Sequence, residues 1–79
     1  MPTLLRLEGF RFFFFSREGK EPAHVHVEKG DGVAKFWLRP VKLDWSRGLK
    51  VQELSRVEEI VVDHRDEFEA RWNEYFSHA

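Results

Sequence analysis

The sequence predicts an α+β domain: an antiparallel four-stranded sheet, with a short fifth strand allowed, followed by two C-terminal helices packed on one face. Three observations predict it. Short alternating or aromatic-rich segments punctuated by glycine and proline fill the stretch from about residue 3 to 43. After Gly48 there is neither glycine nor proline, and apolar residues recur at helical spacing. Finally, 79 residues leave room for a single domain, 1–79, built around one core.

The elements follow in order. Leu4 to Leu7 reads as a strand, and Gly9 breaks or bulges it before the aromatic strand Phe10 to Phe15. Ser16 to Pro22 is polar, contains Gly19, and reads as a loop. Pro22 biases Glu21 toward extended backbone and leads into a third strand, His24 to Glu28. Lys29-Gly30-Asp31-Gly32 is a hairpin turn, and the fourth strand, Val33 to Arg39, stops at Pro40, which cannot donate to a ladder. Val41 to Leu43 can add a short edge strand, with Trp45 to Gly48 as a connection. Leu54, Val57, Ile60 and Val61 mark a helix at about 51–62, with Lys50 a poor N-cap. Phe68, Trp72, Tyr75 and Phe76 mark a second at about 65–76, with the junction at Asp63 or His64.

Strand parity assigns the faces, because successive side chains alternate across a strand. A two-residue Gly30-Asp31 loop pairs Val27 with Ala34 and Val25 with Phe36, facing the helices. The same register pairs His26 with Lys35 and His24 with Trp37 on the opposite face, and a one-residue slip would mix the two sets. Leu5, Leu7, Phe10, Phe12 and Phe14 are expected inside. Arg6, Arg11, Phe13, Phe15, His24, His26, Lys35, Trp37 and Arg39 are expected together on an open face, where exposed aromatics would mark a partner or ligand surface.

Composition narrows the function classes. The chain has no cysteine, so disulfides, thiolate zinc sites and cysteine nucleophiles are excluded, which suits a reducing cytoplasm. No secretory signal is visible, and Phe12 to Phe15 is too short to span a bilayer, so a cytoplasmic protein without membrane insertion is expected. The net charge of −1 hides an asymmetry: residues 1–50 carry ten Lys/Arg against six Asp/Glu, and residues 51–79 carry three against eight. The basic half could meet phosphates; the acidic helices have the wrong sign for reading DNA.

Three chemistries fit the open face. Arg6, Arg11, Phe13, Phe15, Trp37 and Arg39 form a binding set in which rings stack on bases and cations track a nucleic-acid backbone. His24 and His26, with Cα atoms about 7 Å apart at ~3.3 Å per residue, could act as acid and base, with Lys35 stabilising a phosphate. That constellation would suit a metal-independent ribonuclease. The third chemistry is a metal site at His24, His26 and Glu28, opposed by Lys35 and by the remoteness of His64 and His78. No cofactor is expected. A polar sheet surface or a homodimer seam is the plain structural alternative for the histidines.

Gly9-Phe10-Arg11-Phe12-Phe13-Phe14, Pro22-Ala23-His24-Val25-His26-Val27-Glu28, Lys35-Phe36-Trp37-Leu38 and Trp72-Asn73-Glu74-Tyr75-Phe76 together resemble a bacterial family known as domain of unknown function 4160. The resemblance spans nearly the whole chain. It implies no particular reaction. It does imply a protein partner, because members are often encoded beside a second small protein in what looks like a toxin–antitoxin arrangement. Three positions depart from the family pattern, which has proline at Ala23, tyrosine at Phe15 and an acidic residue at Arg39. Phe15 removes a phenol that could act as an acid, and Arg39 makes the face more basic. The expected role is a small binding or interaction module, half of a toxin–antitoxin-like pair. A ribonuclease-type toxin and a structural homodimer are the alternatives.

Overall fold

In the computed structural model, residues 3–77 are described; His78 lies outside them. Five strands run β1 (Thr3–Leu7), β2 (Phe10–Phe13), β3 (His24–Lys29), β4 (Gly32–Leu38) and β5 (Val41–Arg47), followed by one helix, α1 (Val51–Phe76). The sheet is a simple antiparallel meander in the order β1-β2-β3-β4-β5.

Turn chemistry fixes the hairpins. Glu8 and Gly9 both adopt positive φ, 55° and 85°, which matches the right-handed twist of the flanking strands in a two-residue connection. Gly30, with φ 59°, takes the first central position of the β3–β4 turn and leaves Lys29 paired with Gly32. From there the ladder runs through Val27↔Ala34, His26↔Lys35 and Val25↔Phe36 to His24↔Trp37. This is the register that parity predicts.

The core lies between one sheet face and α1. Phe10, Phe12, Phe14, Val25, Val27, Ala34, Phe36 and Leu38 meet Val57, Ile60, Val61, Phe68 and Trp72. Leu4 joins them across an irregularity in β1, with Leu5 and Leu7 partly buried against the cluster.

Three expectations need correction. The two helices are one, 26 residues long and ~39 Å at 1.5 Å per residue. Asp63 and His64 do not break it, because His64 continues the Val57, Val61, Phe68, Trp72 stripe. The His64 Nδ1–H donates to the Ile60 carbonyl at 2.9 Å, and the ring stacks on Phe68. The start needs no side-chain acceptor from Lys50, since Glu53 accepts the Lys50 backbone N–H at 2.8 Å, the N3 half of a capping box.

The fifth strand is not a three-residue fragment but spans seven residues, and every residue after Val41 is exposed. A register shift between Lys35 and Phe36 sets Leu43 opposite Phe36 but Trp45 opposite Lys35. That bulge moves Trp45 to the face away from the helix.

The second strand ends at Phe13 rather than Phe15. Phe14 and Phe15 therefore begin the connection to β3. Phe14 still turns inward, against Trp72, Tyr75 and Phe76.

Candidate functional site

The face opposite α1 is not open where the histidines stand. The connection between β2 and β3 folds over it and brings Glu18 onto the imidazoles. His24 has no exposed surface, and His26 and Lys35 keep only 7% and 8%. Parity brings His24, His26, Lys35 and Trp37 together as predicted; the loop then covers all but Trp37, which stays half-buried.

Backbone bonds fix this loop. Glu21 N–H donates to the Glu18 carbonyl at 3.1 Å, Phe15 N–H to Glu18 Oε1 at 3.1 Å, and Leu38 N–H to the Ala23 carbonyl at 3.1 Å. Gly19 lies so close to Phe76 that a Cβ there would sit 2.6 Å from the ring, so the loop is also seated on the end of α1.

His26 Nε2 lies 3.0 Å from both Glu18 oxygens. Its ring stacks on Phe13 and meets Phe15 edge-on at 4.7 Å between centroids. Burial pushes the His26 imidazole below its ordinary pKa; Glu18 pulls the other way, while His24 and Lys35 add to the lowering. Burial also resists ionisation of Glu18, but the imidazoles and the Phe15 N–H outweigh it and hold the carboxyl below its usual range.

His24 is held by a hydrogen bond at one end only. Its Nδ1 lies 2.9 Å from the Pro22 carbonyl, which can only accept, so Nδ1 carries the proton. Its Nε2 is 2.9 Å from Glu18 Oε1 but lacks hydrogen-bond geometry, leaving a fully buried nitrogen without a partner. The ring is packed between Trp37 and Trp72, with centroids 5.5 and 4.7 Å away. The Trp72 contact arises because α1 is longer than the strands and its last turns reach the start of β3.

The predicted cations are largely neutralised. Lys35 Nζ sits 2.7 Å from Glu21 and 3.5 Å from Asp44, over the Trp37 ring at 4.3 Å. Burial resists its charge, but those carboxylates prevail and raise its pKa above the ordinary value. Arg11 donates to Glu28 at 2.6 Å and to Thr3 at 2.9 Å, and lies over Phe13. Glu28 is thereby committed to Arg11; the carboxylate that reaches the histidines is Glu18. Arg39 does not share the histidine face: it lies in the β4–β5 turn, with Nε and Nη2 on the two oxygens of Glu69 at 3.0 and 2.7 Å. Arg6 is exposed on β1, opposite Arg11.

Nor do the aromatics form one broad patch. Phe13 is buried beneath Arg11, Phe15 and His26, whereas Phe15 and Trp45 remain 44% and 43% exposed. Beside Trp37, at the end of the sheet, lies a groove of about 390 Å³ lined by Pro22, Ala23, Trp37, Arg39, Pro40, Lys42 and Glu69.

Sequence reasoning missed Glu18, Glu21, Asp44 and Lys42. For Lys42 a signal existed, because Val41, Leu43 and Trp45 alternate with polar residues as far as Arg47. For Glu18 and Glu21 none did, since a loop has no periodicity that says where its side chains land.

No helix among the described residues is long and apolar enough to cross a membrane. No curated protein and no solved structure matches the chain. A family model described as "Domain of unknown function (DUF4160)" matches residues 9–73, which carry β2 to β5, the Glu18 loop and most of α1. On that match, the chain belongs to the family of domain of unknown function 4160.

Proposed function

We propose that this domain is a protein-interaction module, half of a small two-protein bacterial pair, and that it receives an apolar side chain of its partner in the groove beside Trp37. The observation that carries this reading is the groove itself. Its volume of about 390 Å³ lies in the range of pockets that bury a compact ligand group, and an indole and two prolines line it. A rigid indole wall suits an apolar anchor, and with Arg39 already paired to Glu69, Lys42 is the charge on the rim that would complement an acidic neighbour of that anchor.

The ion pairs weigh against nucleic acid. A phosphate-tracking surface needs cations free to release counterions. Arg11, Lys35 and Arg39 each have a carboxylate oxygen within 2.6–2.7 Å. Burial weighs against His24 and His26 as an acid–base pair, because a ribose cannot reach a ring with no exposed surface.

The test is titration calorimetry of the full chain against the product of its neighbouring small gene, with single-stranded RNA as a parallel arm. Micromolar or tighter protein binding is expected, weakened at least ~30-fold by Trp37→Ala, the scale of a buried aromatic anchor, and weakened also by Lys42→Glu. Tight RNA binding with steep salt dependence would overturn the reading. So would growth arrest on expressing the chain alone, if His26→Ala abolished it.

A further inference from the structure

The strongest unexplained feature of the molecule is the orphaned Nε2 of His24. With Nδ1–H held by the Pro22 carbonyl, neutral His24 presents an Nε2 lone pair 2.9 Å from a carboxylate oxygen. Two acceptors then face each other at a nitrogen with no exposed surface, which is costly unless something positive lies between them. A proton can meet that need. So can a metal ion, and the surroundings favour the ion.

We propose that Glu18, His24 and His26 form a binding site for a late first-row divalent cation, with zinc its natural probe. The ligand atoms already converge: one from each residue lies within 4.8 Å of the others. Glu18 oxygens stand 2.9 Å from His24 Nε2 and 3.0 Å from His26 Nε2. With bonds of ~2.0–2.1 Å, tetrahedral ligand atoms lie roughly 3.3 Å apart, so the two carboxylate–imidazole distances need only open by a few tenths of an ångström. Two imidazoles and one carboxylate are the donor set of three-ligand zinc sites, which keep a fourth position for water or an incoming donor.

The supporting contacts are of the kind such sites use. A ligating histidine donates its second ring N–H to a carbonyl or carboxylate, which fixes tautomer and orientation; His24 does this to Pro22. Phe13, Phe15, Trp37 and Trp72 pack around the rings and lower the local polarity. Lys35, the expected electrostatic obstacle, is drawn to Glu21 and Asp44. The third ligand arrives from the loop, so binding would also tie that loop to the sheet.

Zinc titration of the full chain, followed by calorimetry and thermal unfolding, tests the assignment. One zinc per chain and a raised Tm are expected. Glu18→Gln should weaken binding at least ~10-fold, because losing a ligand costs no less than losing an outer contact, which is worth ~10–100-fold, and His26→Gln should weaken it similarly. Glu28→Gln, which disturbs only the Arg11 pair, should leave it unchanged. Because His24 is wholly buried, Glu18→Gln on the loop is the decisive variant: it can be checked for an unchanged far-UV spectrum before titration. Absence of saturable binding at millimolar zinc overturns the proposal and leaves a proton as the occupant. Binding indifferent to Glu18→Gln and His26→Gln overturns it equally.

Discussion

His24 Nε2 lies 2.9 Å from Glu18 Oε1 without hydrogen-bond geometry, at a position with no exposed surface. The two residues come from elements with opposite demands. His24 is set by strand register, since a one-residue slip of β3 would turn it into the apolar core and bring Val25 out. Glu18 is set by a loop whose path depends on backbone bonds to Phe15 and Glu21 and on close approach to Phe76. The site therefore reports on the loop as much as on the sheet.

That dependence makes Gly19 a sensitive position. A Cβ would fall 2.6 Å from Phe76 Cδ1, so the loop or the ring must shift. Gly19→Ala is expected to cost ~1–3 kcal/mol, the scale of overpacking. Adding Phe76→Leu should recover part of the loss. Urea denaturation of the single and double variants measures both.

Helix continuity is tested at Asp63, an exposed position inside α1. A proline there removes one intrahelical bond and clashes with the carbonyl four residues earlier. Asp63→Pro should cost ~3 kcal/mol or more, and Asp63→Ala should be near neutral or slightly stabilising. If two helices met at this point, proline would be tolerated.

Acid should weaken the fold through carboxylates remote from the histidines. Glu8 and Glu69 are lowered chiefly by hydrogen bonds from Arg56 and Arg39, and Glu53 by the Lys50 backbone N–H. A carboxyl held below its unfolded pKa adds stability above that pKa of ~4.3, and the contribution disappears as pH falls through the lower folded value. Urea midpoints should therefore drop below about pH 5 and continue to drop toward pH 3. Glu53→Gln should flatten the slope, and added salt should weaken the Arg-paired part more than the Glu53 cap, because exposed ion pairs are screened.

Much of this was legible in the sequence. The His-Val-His-Val alternation and the Gly30-Asp31 turn determine the β3–β4 register, and through it which residues share a face with Trp37. The helix junction was misread because a polar residue, His64, occupies a core-facing position; its ring and its bond to Ile60 serve the stripe as an apolar residue would. β5 is longer than expected because Trp45 to Gly48 reads as a connection, although Val41, Leu43 and Trp45 alternate with polar residues as far as Arg47, and a bulge shifts Trp45 across. Glu18 was beyond reach, since the destination of a loop carboxylate is a tertiary fact.

Long-range proton–nitrogen NMR of the histidine rings tests the core of this account most directly, recorded near pH 7.5 before and after one equivalent of zinc. His24 should carry its proton on Nδ1 throughout, and zinc should move the Nε2 resonances of His24 and His26 while leaving those of His64 in place. A His24 protonated on Nε2 alone, or ring nitrogens indifferent to zinc, would contradict it.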